Sequence, residues 1–381
     1  MFNMRIYLFC LSLCICFFAC EKKKYDEPGI PEPKPEEPVK EPRNELAKAD
    51  KKIVKVIAIY EDPKVNDNQY LHQVAITPGY TFKWENPREL CKEYKQFFEE
   101  QSGGVIEYQI VNEIEAEVFW THSWGDPAKT PWTKQQVIDK VLEPGWASIK
   151  LDEQLYHPNY DGRSNYKYKE MVEYYGFDKM RDNDEVHEIW VWSYPLGGMW
   201  ESTFSGQGAF WLNSPVMDPT TSNEKLLIVM GLNYERDLAC AVESYGHRIE
   251  SIMREVYGRW NPGGPLPPNP NMWELFTAYA KISGGNTHVG NVHFPPNGDF
   301  DYDWSNSTTV KSYHNEWKYY PDIRNEEAEY LNSSKWGGSH LGYFKFWYSH
   351  LPKFIGKYEG KLNNWWHYIV DYNEAIELEK K

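Results

Sequence analysis

The chain has 381 residues, a formal net charge of -15, and 41% hydrophobic and 16% aromatic residues. An acidic balance disfavours nucleic acid as a partner, because phosphate binding needs a basic footprint. After the N-terminal stretch no apolar run approaches membrane-spanning length, so the body reads as soluble, with about 330 residues for one large domain or two of ordinary size.

The first twenty residues carry an address. Arg5 supplies a positive start, Ile6 to Phe18 is apolar apart from Ser12, and Phe17-Phe18-Ala19-Cys20 closes the run with a small residue before a cysteine. The stretch is too short to span a bilayer and has the layout of a cleaved export signal. It resembles the lipobox of bacterial lipoproteins, which implies cleavage after residue 19 and lipidation (a palmitate-type acyl anchor) at Cys20. Ordinary secretion with chance cysteines is the plainer alternative. A charged run, Glu21 to Glu27, and a Pro/Glu/Lys-rich segment, Pro28 to Pro42, follow. That composition buries no apolar area and favours extended polyproline II, so residues 20–50 read as an anchor and a semi-rigid stalk. The stalk is similar to linkers of Bacteroidota surface lipoproteins. That likeness implies an outer-membrane lipoprotein at the cell surface or periplasmic face, touching the membrane through its lipid alone. With Cys10, Cys14 and Cys16 lost in the signal, Cys91 and Cys240 remain, free to pair or to stay buried.

In the body, Ile53–Ile59 predicts a buried strand. A helix starts at Asn86 as cap, with Pro87 in its first position and Glu89 closing a capping box, and stops at Gly103-Gly104. Val105–Val111 alternates as a strand, Thr133 with Gln136 opens a helix, and Ser164 opens another that ends near Gly176. Val186–Trp192 reads as a strand before a Gly-rich loop, Tyr194–Gln207. Leu226–Met230 is a further buried strand, and Asn233 caps a long helix from about Tyr234 to Tyr257. Strands alternating with helices predict an α/β fold, a mixed sheet with flanking helices over 51–260. Residues 261–381 are rich in Trp, Tyr, Asn and Gly with little periodicity, and predict a loop-rich, aromatic-rich C-terminal lobe packed on it.

The long helix carries the best candidate chemistry. Leu238, Val242, Tyr245, Ile249, Ile252, Met253 and Val256 form one apolar face, with Glu243, His247, Glu250 and Arg254 as a stripe roughly opposite. An imidazole with a carboxylate one turn to either side suits a base with an orienting partner, and equally a metal site. The H-E-x-x-H spacing of zinc peptidases is absent. A solvated face laced with ion pairs is the ordinary alternative, against which Gly246 marks a close neighbour within the helix. The loop Tyr194–Asn213 holds Glu201 beside Trp200, a carboxylate against an indole, where burial raises a pKa towards general-acid use. Asp299, Asp301 and Asp303 alternate as in a calcium site, though EF-hand spacing fails at Trp304 and Val310. His288 and His293 lie near this cluster and could reach a zinc ion alongside His247, given a tertiary contact between the two segments. Asn364 beside Trp365 and Trp366 offers hydrogen bonds and stacking for a sugar.

The segments VMGLNYERDLACAVESYGHRIESIM, GNVHFPPNGDFDYDW and LNNWWHYIVD together resemble a family of secreted bacterial and fungal proteins without assigned activity. The likeness spans most of 80–375 and implies an exported globular fold, with no catalytic residue to carry over. The leading expectation is a surface-anchored hydrolase of an extracellular polymer, a polysaccharide or glycoconjugate. Glu201 and Glu243 act as acid/base carboxylates, His247 and Glu250 assist, and Trp200, Trp365, Trp366 and Asn364 bind substrate. A non-catalytic glycan-binding lipoprotein and a metal-dependent hydrolase are the alternatives, with calcium or zinc as the only cofactors in view.

Overall fold

A computed structural model describes residues 41–77, 83–123, 126–143, 164–195, 197–217 and 220–381. The export signal, Cys20 and the stalk up to residue 40 lie outside the described residues. Among the described residues no helix is long and apolar enough to cross a membrane.

The β-branched runs form the centre of a five-stranded sheet. In chain order its strands are β1 (Lys52–Tyr60), β2 (Ile106–Glu115), β3 (Glu188–Ser193), β4 (Ser202–Ser205) and β5 (Leu227–Asn233), arranged β2-β1-β3-β5-β4. The first four in that order are parallel, and β4 runs antiparallel on the edge. Alternation splits the central strands β1, β3 and β5 between two cores, which is why the runs read as continuously apolar. Val54, Val56, Ala58, Trp190 and Met230 face one side, and Ile57, Ile59, Ile189, Val191 and Val229 the other. Helices α1 (Pro87–Gln101) and α5 (Leu238–Tyr257) cover the first side with Tyr94, Phe98 and Tyr245. The second is covered by Met171 and Val172 of α3 (Tyr168–Tyr175) and Phe177 of α4 (Phe177–Asp182), while α2 (Lys134–Leu142) joins the first core. The fold is mixed α/β, as the alternation of elements predicts.

Several local expectations need correction. Asn86 caps α1 through Arg88 N, but Glu89 pairs with Lys92, so the predicted box is not made. The Thr133–Gln136 box is made. Ser164 does not start α3; its hydroxyl donates to Gly198 O, and the helix begins four residues later, at Tyr168. Asn233 ends β5 and accepts from Glu235 N in the turn that follows, whereas Asp237 accepts from Cys240 N and starts α5. The loop after β3 contains the edge strand β4, hidden by its glycines. Cys91 and Cys240 are both free thiols.

The aromatic-rich C-terminal part supplies α6 (His340–Ser349), α7 (Trp365–Val370) and α8 (Tyr372–Glu379), which the sequence pattern left as loop. Its rings continue the first core: Trp273, Phe276, Trp317, Trp347 and Trp365 form a connected cluster whose ring contacts, edge to face, stacked or tilted, span 4.9–6.3 Å between centroids. One hydrophobic core thus runs from Val54 to Ala375, and residues Arg43–Lys381 form a single compact unit.

Candidate functional site

A cavity of about 630 Å³ opens beyond the C-terminal ends of β3 and β5, within the range of small-molecule sites. Open α/β sheets place ligands at this edge. Ser193 ends β3 and Tyr194 follows it, Asn233 ends β5, and Glu243 and Ser244 come from the first half of α5. Tyr302, Trp304 and His340 close it from the C-terminal part, and the Glu243, His247 and Glu250 portion of the polar stripe of α5 is largely covered.

Glu201 is held by backbone pairing. It precedes β4, and Gly231 N donates to its carbonyl at 3.1 Å; a Cβ on Gly231 would stand 2.3 Å from Trp200 O, so only glycine permits this approach. Asn213 donates to the Glu201 carboxylate. Glu201 is exposed within the cavity, yet the protein around it still desolvates its carboxyl and raises its pKa from the usual value; His247 opposes the shift and the Glu243 charge adds to it.

Across the cavity, Glu243 sits among three histidines. Its Oε1 lies 3.8 Å from His247 Nε2 and 3.6 Å from His293 Nε2, and its Oε2 lies 3.0 Å from His340 Nε2. Burial alone would push this carboxyl up. The three rings gathered around it outweigh that penalty and hold the group far below the carboxylate range. Burial likewise disfavours a charged His247, but Glu243 and Glu250 reverse the sign and raise it to about 10.

The surrounding chain explains why these rings meet. Glu250 accepts from Val292 N through Oε1 at 3.0 Å and bonds His247 Nδ1 through Oε2 at 3.0 Å, tying the helix to the His293 loop. Asn291 Oδ1 turns that loop by accepting from His293 N and Phe294 N. Gly246 leaves room for it: a Cβ there would stand 2.7 Å from Val292 Cγ2, which answers why glycine is tolerated in mid-helix. Gly246→Ala is therefore expected to lose about 1–2 kcal/mol by urea unfolding, overpacking outweighing the gain in helix propensity. Tyr302 adopts a left-handed φ of 63° and places its hydroxyl 3.2 Å from His293 Nε2. His340 opens α6 and stacks on Trp304 at 5.2 Å.

Of the residues singled out in the sequence, Glu201, Glu243, His247, Glu250 and His293 converge here. Arg254 is exposed, past the covered part of the helix. His288 is not a metal ligand in this arrangement: its ring is buried elsewhere and its Nδ1 accepts from Trp317 Nε1 at 3.2 Å. The three aspartates do not make a calcium site. Asp303 folds back to accept from Asp299 N and Asn306, Asp301 binds His293 Nδ1 at 2.9 Å, and Asp299 is exposed. The tryptophan platforms also fail. Trp365 and Trp366 are fully buried core residues, Asn364 is buried beside them, and Trp200 stacks on Tyr168 against the second core. His340 and Tyr302 went unseen; the only local sign of His340 is its place after the cap Ser339, ahead of an aromatic run.

Beneath the cavity floor lies Glu61, fully buried at the end of β1 and bonded to Ser193 Oγ at 2.6 Å and Tyr166 OH at 2.9 Å. Desolvation outweighs both bonds and pushes its carboxyl up to about 7. Because the folded value exceeds the unfolded one, the native state is fully favoured below about pH 4.5 and loses stability as pH rises through 7. Glu61→Gln, which keeps the shape without the charge, is expected to stabilise the chain by roughly 3 kcal/mol at pH 8 and by under about 1 at pH 5, read from denaturant midpoints.

No protein-family model matches the chain, and no curated protein matches it.

Proposed function

We propose that the chain is a surface-anchored hydrolase of an extracellular polymer, a glycan in the first instance. One observation carries the reading. Glu201 and Glu243, 42 positions apart in sequence, line the same cavity, and their surroundings drive their carboxyls in opposite directions. Two titratable groups pushed apart in one cleft are the mark of divided acid/base labour.

Glu201, holding its proton more tightly than an ordinary carboxyl, is the general acid that protonates the departing oxygen. Glu243 stays ionised and, with its histidines, forms the charged pole beside which the attacking water is held. Arg236 and Asn233 line the same cavity and offer donors to hydroxyl or carboxylate groups.

The test is to incubate the purified chain with a panel of plant and host polysaccharides and measure new reducing ends. Cleavage of at least one class is expected. Retention of a polymer with no cleavage anywhere in the panel would replace the hydrolase by a binding protein.

A further inference from the structure

Three ligand atoms converge on one point in the cavity wall. His247 Nε2 and His293 Nε2 stand 3.0 Å apart, and both face Glu243 Oε1 at 3.8 and 3.6 Å. The other nitrogen of each ring is already engaged by a carboxylate: Glu250 on His247 Nδ1 at 3.0 Å, Asp301 on His293 Nδ1 at 2.9 Å. A carboxylate on Nδ1 leaves Nε2 as the nitrogen that a metal ion would take in exchange for any proton it holds, the arrangement that metal-bound histidines use. Without a metal the two Nε2 atoms stand at hydrogen-bond distance, so a proton lies between them, and a bound ion would take its place.

The spacing suits a small ion. Ligands at about 2.0–2.1 Å from zinc lie roughly 3.3–3.4 Å from each other on a tetrahedron, and the three measured separations bracket that edge. We infer that Glu243, His247 and His293 hold a divalent transition-metal ion, zinc by the character of its ligands, in the wall of the cavity. His340, 3.0 Å from Glu243 Oε2 and stacked on Trp304, steadies the second carboxylate oxygen so that the first turns to the histidines. Glu243 itself lines the cavity, so the remaining coordination position is open to a substrate or water. The inference deepens the hydrolase reading and rests on it only for the role of the ion, which is to polarise a water in the cavity that Glu201 shares.

The experiment uses the purified chain stripped with a chelator and dialysed. It is titrated with zinc against a chromogenic chelator, and with Co(II) followed by visible absorption. One equivalent of each is expected, with the intense bands of tetrahedral Co(II). His293→Ala should abolish stoichiometric binding. Asp301→Asn, an exposed residue that touches the ring, should weaken it about 10–100-fold. His367→Ala, whose ring pairs with Glu374 in the C-terminal helices, should leave it unchanged. Failure to bind a full equivalent of either metal overturns the inference, as does unchanged affinity in both His293→Ala and Asp301→Asn. Should His293→Ala not fold, Asp301→Asn decides alone. Metal bound without cleavage of any polymer removes the hydrolase and keeps the site; undiminished cleavage by metal-free protein does the reverse.

Discussion

Glu201→Gln is expected to lower kcat on a cleaved polymer by about 10²–10⁴-fold, the usual loss when a general acid is removed. Its denaturation midpoint should stay put, because the side chain opens to the cavity and Gln can still accept from Asn213. The pH profile tests the role more sharply than the rate does. If the protonated carboxyl is the active form, the rate falls as pH rises through its raised pKa. Glu243 stays ionised throughout and adds no limb of its own. The groups that set the position of that limb are Glu243, His247, His293 and Asn213. Asn213 donates to the charged form of Glu201, so removing the amide raises the pKa and moves the falling limb to higher pH. Asn213→Gly suits that test, since glycine tolerates the φ of 51° found there. A limb that does not move, or a Glu201→Gln enzyme with more than a tenth of the parent rate, would strip Glu201 of the role.

How far the chain announces this site depends on which part is considered. Ile53–Ile59 and Leu226–Met230 are runs that only a strand buried on both faces accommodates, so the sheet was legible. Glu243, His247 and Glu250 were legible because helical spacing alone places them together. Whether that stripe met water or protein was not, since the answer lies in the 291–304 loop and His340, about 50 and 90 residues further on. Gly246 was the one local hint, and it marked the contact with Val292. Trp365 and Trp366 misled for a related reason. A tryptophan suits a sugar platform and a core equally, and only the packing of Tyr257, Trp273 and Tyr348 around this pair decides between them. Asn233 misled because a cap residue also ends a strand well. Asp237, four residues on, was an equally good cap on composition.

Arg248→Ala is expected to cost about 3–5 kcal/mol, the penalty for removing one partner of a fully buried ion pair. Arg248 follows His247 on α5, yet its side chain turns into the core. There NH1 and NH2 bind Glu188 Oε2 and Oε1 at 2.7 and 2.6 Å, and NH2 also donates to Ile369 O at 2.7 Å. Both side chains are fully buried. Truncation would leave the Glu188 charge with only Trp190 Nε1 at 2.9 Å and Tyr108 OH at 3.3 Å, neither able to neutralise it, and the carbonyl of Ile369 without this donor. Arg248→Lys is expected to fall in between, because an ammonium keeps the charge but cannot reproduce a planar fork aimed at two carboxylate oxygens. Urea unfolding is the measurement: the midpoint should drop in that order with the slope unchanged. The pair joins β3, α5 and α7, the elements that also set the distance between the cavity floor and the histidine cluster. A destabilised Arg248→Lys protein that still folds should therefore bind metal more weakly although no ligand has changed. An Arg248→Ala chain as stable as the parent would mean that Glu188 finds relief elsewhere, and that α5 is anchored by its aromatic face alone.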